Sequence, residues 1–133
     1  MSNKFPPNTK QDVKEYSRIL RKQAELLANK ADHDELNANG AEALEFSSRL
    51  RKEFNISSGT DMALAQHIAD TASDNDMPEV AEDMKTLLPF FKALESDVSK
   101  TFSKMKPGSF DGEEVINILQ NAAASHKHLL NKR

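Results

Sequence analysis

The chain has 133 residues, of which 38% are hydrophobic and 29% charged; it has no Cys or Trp and carries a formal net charge of −3. That length supports one domain with a core of its own. The lack of Cys excludes disulfides, thiolate zinc sites and thiol catalysis, and a content of only four Gly and five Pro argues for helices over an all-β or dinucleotide-binding chain.

No apolar run nears the roughly 18 residues that span a bilayer, and Met1 to Thr9 has no signal-peptide core. A cytoplasmic protein without a membrane segment is therefore expected. The charge is uneven. Residues 1–58 hold ten Lys/Arg against nine Asp/Glu, residues 59–99 two against nine, and residues 100–133 six against three. An acidic middle thus lies between a near-neutral and a basic end.

Met1 to Asn8 forms an extended tail, because Phe5-Pro6-Pro7 disfavours helix; Phe5 is expected to fold back onto the bundle. The single helical domain then spans residues 9–133. Its first helix runs from about Thr9 to Ala31, capped by Asn8 or Thr9. Val13, Tyr16, Leu20, Ala24, Leu27 and Ala31 face inward. Lys10, Lys14, Arg18, Arg21 and Lys22 gather within about a third of the circumference on the back.

Asp32 to Gly40 is polar and reads as a loop or a frayed continuation of helix. Ala41 to Phe54 resumes the pattern with Ala43, Ser47, Leu50 and Phe54. After a break at Asn55 to Gly59, Ser58 or Thr60 caps a helix from about Asp61 to Ser73 that carries Leu64, Ala65, Ile68, Ala69 and Ala72.

The longest signal runs from Met77 to Met105. Val80, Met84, Leu87, Phe91, Leu94, Val98, Phe102 and Met105 recur in steps of three and four, the spacing of one helix face. Asp76 is expected to cap this central helix, and Pro89 to kink it without breaking it. Lys106-Pro107-Gly108 ends it. The last helix starts at Asp111, which with Glu114 makes a capping-box-like pair, while Phe110 and Val115 are placed as a staple. Val115, Ile118, Leu119, Ala122, His126 and Leu129 follow on one side. The fold expected is an all-α, single-domain bundle of four to five mostly antiparallel helices, with a core of the central stripe plus Leu20, Leu27, Leu50, Ile68 and Leu119.

Site chemistry is sparse. His33 lies among Asp32, Asp34 and Glu35 but without the Gly and spacing of a calcium loop. His67 shares a helix face with Asp70 and Asp74, which admits a metal- or phosphate-handling site. The Lys and small residue that follow the His in histidine phosphotransfer domains are replaced here by Ile68, Ala69 and Asp70. His126 and His128 are two apart and do not share a face. Glu79, Glu82, Asp83, Glu95 and Asp97 fall mainly off the apolar stripe, and no Glu-x-x-His element accompanies them. No phosphate loop, dinucleotide fingerprint or nucleophile elbow is present. No catalytic residue, metal site or cofactor is therefore assigned.

The function expected is a non-enzymatic protein-binding module: an adaptor, inhibitor, chaperone or assembly factor. A surplus of apolar residues beside the main stripes supports it, namely Ile19, Leu26, Leu44, Phe46, Leu88, Phe90 and Ile116. These complete a wide core or meet another protein or a second copy of the chain. Phe90 is the preferred anchor, and Glu79, Glu82 and Asp83 form an acidic patch for a basic partner. The alternative is a nucleic-acid-associated protein that uses Lys10, Lys14, Arg18, Arg21 and Lys22 on phosphate. A helix-turn-helix over residues 63–88 is rejected, because its recognition helix would present Glu79, Glu82 and Asp83 to the duplex.

Overall fold

The computed structural model describes residues 4–56, 61–105, 108 and 111–131, without the side chains of Asp61 and Asn131. Among them are five α-helices and no strand: α1 (Pro7–Ala28), α2 (His33–Glu53), α3 (Asp61–Ala72), α4 (Pro78–Ser103) and α5 (Gly112–Ser125). Short 3₁₀ segments, Ser73–Asn75 and Lys127–Asn131, follow α3 and α5. The all-α bundle expected from periodicity is the fold observed. No helix among the described residues is long and apolar enough to cross a membrane.

Several boundaries differ from the expectation for local reasons. α1 begins at Pro7, with Pro6 in the cap position, because proline in the first turn has no N–H to lose and its φ suits a helix. Asn8 and Thr9 are therefore already inside it. α1 ends at Ala28, where Lys30 adopts a positive φ of 53°. The Lys30 N–H then donates to Leu27 O and the Ala31 N–H to Leu26 O, the paired closure of a left-handed C-terminal cap. Asn55 ends α2 in the same way, through its own N–H to Lys52 O and that of Ile56 to Arg51 O.

Asp32 to Gly40 is not a loop. Asp32 caps α2, accepting from the Asp34 N–H at 3.2 Å, and the helix continues through Gly40. Asp76 also has another role than expected. Its φ is 56°, so it closes the turn after α3, and α4 starts behind Met77 without a side-chain cap. α4 runs unbroken through Pro89. Asp111 caps α5 as expected, accepting from the Glu114 N–H at 2.7 Å. The proposed staple residue Phe110 and the proposed caps Ser58 and Thr60 lie outside the described residues.

α1 is the packing hub: it lies along α2 and also meets α4 and α5, while α3 packs on α4. Asn39 meets Gln23 and Ile19, so α1 and α2 run antiparallel. α1 and α4 instead share a direction. Val13 and Tyr16 lie in one apolar cluster with Met77, Val80 and Met84, and Ala24 and Leu27 in another with Leu87, Phe90 and Leu94. Phe5 folds back as expected: it packs on Phe54 with ring centroids 5.1 Å apart, and its N–H donates to the buried Asn75 Oδ1.

The expected core holds only in part. Val80, Met84, Leu87 and Leu94 of the central stripe are buried, with Leu27, Leu50 and Ile68. Phe91, Val98, Phe102 and Met105 are half-buried, and so are Leu20 and Leu119. Ala81, Leu88 and Phe90 are buried beside the stripe. The physical reason is the place of α2. It packs chiefly on α1, and α2 and α4 are not among the closely packed pairs. The C-terminal half of the α4 stripe is therefore not covered by α2 and stays half-buried.

Candidate functional site

The preferred anchor, Phe90, is fully buried. It sits among Ala24 and Leu27 of α1, Leu36 of α2, Leu87 and Leu94 of α4 and Ala123 of α5. It is a core residue and cannot serve as a docking anchor while the fold is intact.

The two charged faces meet each other. Arg21 reaches Asp83 at 3.3 Å and Glu25 at 3.5 Å, and Arg18 pairs with Glu15 at 2.8 Å. Lys14 and Lys22 are exposed and Lys10 half-buried, but the carboxylates between them break up any purely cationic surface for phosphate. Glu79 and Glu82 are exposed, whereas Asp83 is half-buried. Burial pushes the Asp83 carboxyl above its usual range; Arg21 works against this, and Glu79 and Glu82 add to it. An acid whose folded pKa is raised favours folding when protonated, so its contribution is lost as pH rises above the ordinary carboxylate range. Asp83→Asn is therefore expected to be at least as stable as the parent at neutral pH, with the difference vanishing in acid. Urea titrations at both pH values check this; a less stable variant at neutral pH would mean that the Arg21 pair outweighs burial.

His67 and His126 make contacts within the fold. The His67 ring stands edge-on to Phe54, with centroids 4.9 Å apart, and the Asp70 carboxylate accepts from the Gln66 amide. His126 Nε2 lies 2.6 Å from Asp97 Oδ2, which ties the end of α5 to α4. Among the described residues, no three His, Asp or Glu side chains gather where they could hold a metal ion.

Between α2 and α4 the helices leave a cleft of about 700 Å³. Tyr16, Leu20 and Gln23 of α1 form its floor. Gly40, Ala43 and Leu44 of α2 make one wall and Phe91, Leu94, Val98 and Phe102 of α4 the other; Met62, Ala65 and Leu119 contribute from α3 and α5. Glu95 is the one charged residue in this lining. Leu44 is 63% exposed, the only large hydrophobic side chain so exposed among the described residues.

The surface around the cleft is mixed: Glu42, Glu45 and Arg49 of α2 and Lys92 and Lys100 of α4 are exposed beside uncharged residues. Asn37, Ala41, Leu44 and Ser48 follow one another at steps of four, three and four along α2, and all are exposed. Ser96, Ser99 and Ser103, with Lys92 and Lys100, border a shallower hollow on α4 that shares Met62, Glu95 and Ser99 with the main cleft. Glu82 is nine residues from Phe91, on the opposite side of α4 at 100° per residue, so the acidic patch is not part of this face.

A buried polar contact sets the cleft wall. The Asn39 amide donates to Gln23 Oε1 at 2.7 Å and to Ile19 O at 3.1 Å, which fixes α2 along α1. Next to it, a Cβ on Gly40 would meet only Gln23 Nε2, at the ordinary distance of 3.7 Å. Gly40→Ala is thus expected to stabilise the protein by about 0.5–1 kcal/mol through helix propensity alone, read as a higher denaturation midpoint. A loss would show that this wall has no room for a methyl group.

Sequence reasoning placed Leu44 in the apolar surplus but did not single it out, and it missed Gly40 and the three serines. Of that surplus, Ile19, Leu88 and Phe90 are buried, and Leu26, Phe46 and Ile116 half-buried. Comparison of the chain with protein-family models, with curated proteins and with solved structures finds no match.

Proposed function

We propose that this chain is a non-enzymatic protein-binding module whose docking surface is the cleft between α2 and α4, and that the cleft receives an amphipathic helix of a partner protein. The observation that carries this reading is a cleft of about 700 Å³ whose lining holds a single charged residue, Glu95, in a chain of which 29% is charged. Interface centres are depleted in charged residues, whereas ordinary surface is not. Two helical walls over an apolar floor suit the helix-in-groove mode, in which side chains at i, i+3, i+4 and i+7 enter from one face of the ligand.

The test uses a displayed library of helical peptides selected against the full chain. Selected peptides should lose at least tenfold in affinity on Gly40→Leu, which fills the cleft, and on Leu44→Glu, which charges its edge. Circular dichroism should show both variants helical. Peptides that bind both folded variants as well as the parent would overturn the assignment of this cleft.

A further inference from the structure

We infer that the exposed back of α4 is a second binding surface, separate from the cleft, on which Lys85, Lys92, Lys100 and Lys104 hold the phosphate backbone of duplex DNA. The first three are exposed along α4, and Lys104 is exposed at its C-terminal end. At 100° per residue the four fall within about a third of the circumference, and at 1.5 Å per residue they extend over about 28 Å. That is most of one turn of duplex, about 34 Å. Pro89, Ser96 and Ser103 lie between them and are also exposed. No carboxylate of α4 beyond Lys85 enters this row. Glu95 lies on the cleft side, and Asp97, at the other edge, is held by His126 at 2.6 Å.

Structural roles leave these lysines unexplained. None of the four pairs with a carboxylate among the described residues, whereas Arg18 and Arg21 of α1 both do. Complementing a helix dipole needs cations only in the last turn, which accounts for Lys100 and Lys104 but not for Lys85 or Lys92. The net charge of −3 does not oppose the row locally: residues 59–83, before it begins, hold seven Asp/Glu and no Lys/Arg. Four cations without competing carboxylates complement a regular line of phosphates. A duplex fits better than a single strand, whose bases stack on aromatic rings, because the row contains none. It fits better than a membrane surface, which takes up an apolar helix face, because α4 turns its apolar stripe toward the bundle and the cleft. Contacts to phosphate carry no sequence information, so the binding is sequence-blind.

Fluorescence anisotropy of a labelled DNA duplex, titrated with the full untagged chain at several salt concentrations, tests this. Four phosphate contacts give log affinity a slope of about −3.6 on log salt, a loss of about a hundredfold between roughly 50 and 200 mM. Lys92→Ala combined with Lys100→Ala is expected to halve that slope to about −1.8 while circular dichroism stays unchanged. Lys14→Ala combined with Lys22→Ala, on α1, is expected to leave the slope where it was, and Gly40→Leu, which fills the cleft, to leave duplex binding intact. Absence of binding at low salt, a slope that the α4 pair does not move, or an equal loss from the α1 pair would overturn the inference. So would a preference for single strands, for RNA or for anionic vesicles over the DNA duplex.

Discussion

Phe90→Ala is expected to destabilise the protein by about 3–5 kcal/mol, the range for truncating a packed aromatic side chain. The ring is fully buried where α1, α2, α4 and α5 converge, and Phe91 meets it edge-on with centroids 5.3 Å apart. Removing it takes the transfer free energy of the ring and leaves a cavity that four helices cannot all close. Against a total stability of about 5–15 kcal/mol for a domain of ordinary stability, that loss is read directly as a lower denaturant midpoint. Phe91→Ala is the informative comparison. Phe91 is half-buried and lines the cleft, so its truncation should cost less stability and more affinity for helical peptides. Equal losses of stability for the two variants would contradict this division of α4 into a core side and a cleft side.

The same pair shows what the sequence could reveal. The α4 stripe was legible because apolar residues at helical spacing must face something apolar. Its ends were legible through Pro78 and the break after Met105, and α5 through the Asp111 cap. Periodicity does not say whether the covering surface belongs to the same chain. Val80, Met84 and Leu87 are covered by it, whereas Val98 and Phe102 on the same stripe are half-open.

Phe90, one residue off the stripe, looked like surplus. It is buried because α5 and the end of α1 approach α4 from that side, a fact of topology that no local pattern carries. The start of α2 was hidden for a different reason. Between His33 and Gly40 only Leu36 and Asn39 are buried, so no apolar face repeats there, and Gly40 reads as a breaker until tertiary packing holds it in helix. The site grew from both blind spots: a helix longer than its apolar pattern, packed on one neighbour, leaves another stripe half-covered.

Pro89→Ala tests whether that arrangement is held at a cost. Pro89 is exposed and lies within α4. A proline there removes the N–H that would donate to the Lys85 carbonyl, and its ring presses on that carbonyl. Replacement by Ala in a helix interior is worth about 3 kcal/mol, less the roughly 0.4–1 kcal/mol by which proline restricts the unfolded chain. A net gain of about 2 kcal/mol is therefore expected, measured by urea titration. The cleft should respond in the opposite sense. Phe91, Val98 and Phe102, three of the residues that α4 lends to the wall, follow Pro89 along the helix, so relaxing the helix at that point re-aims them relative to α2. Affinity for selected helical peptides should fall while stability rises, the trade expected where a site is held in a strained or bent form. A variant gaining stability with unchanged affinity would show that Pro89 does not shape the cleft. A variant gaining no stability would show that the residues packed on α4 already fit the helix as proline sets it, so that straightening it strains Phe90 and Leu94 by as much as the restored hydrogen bond contributes.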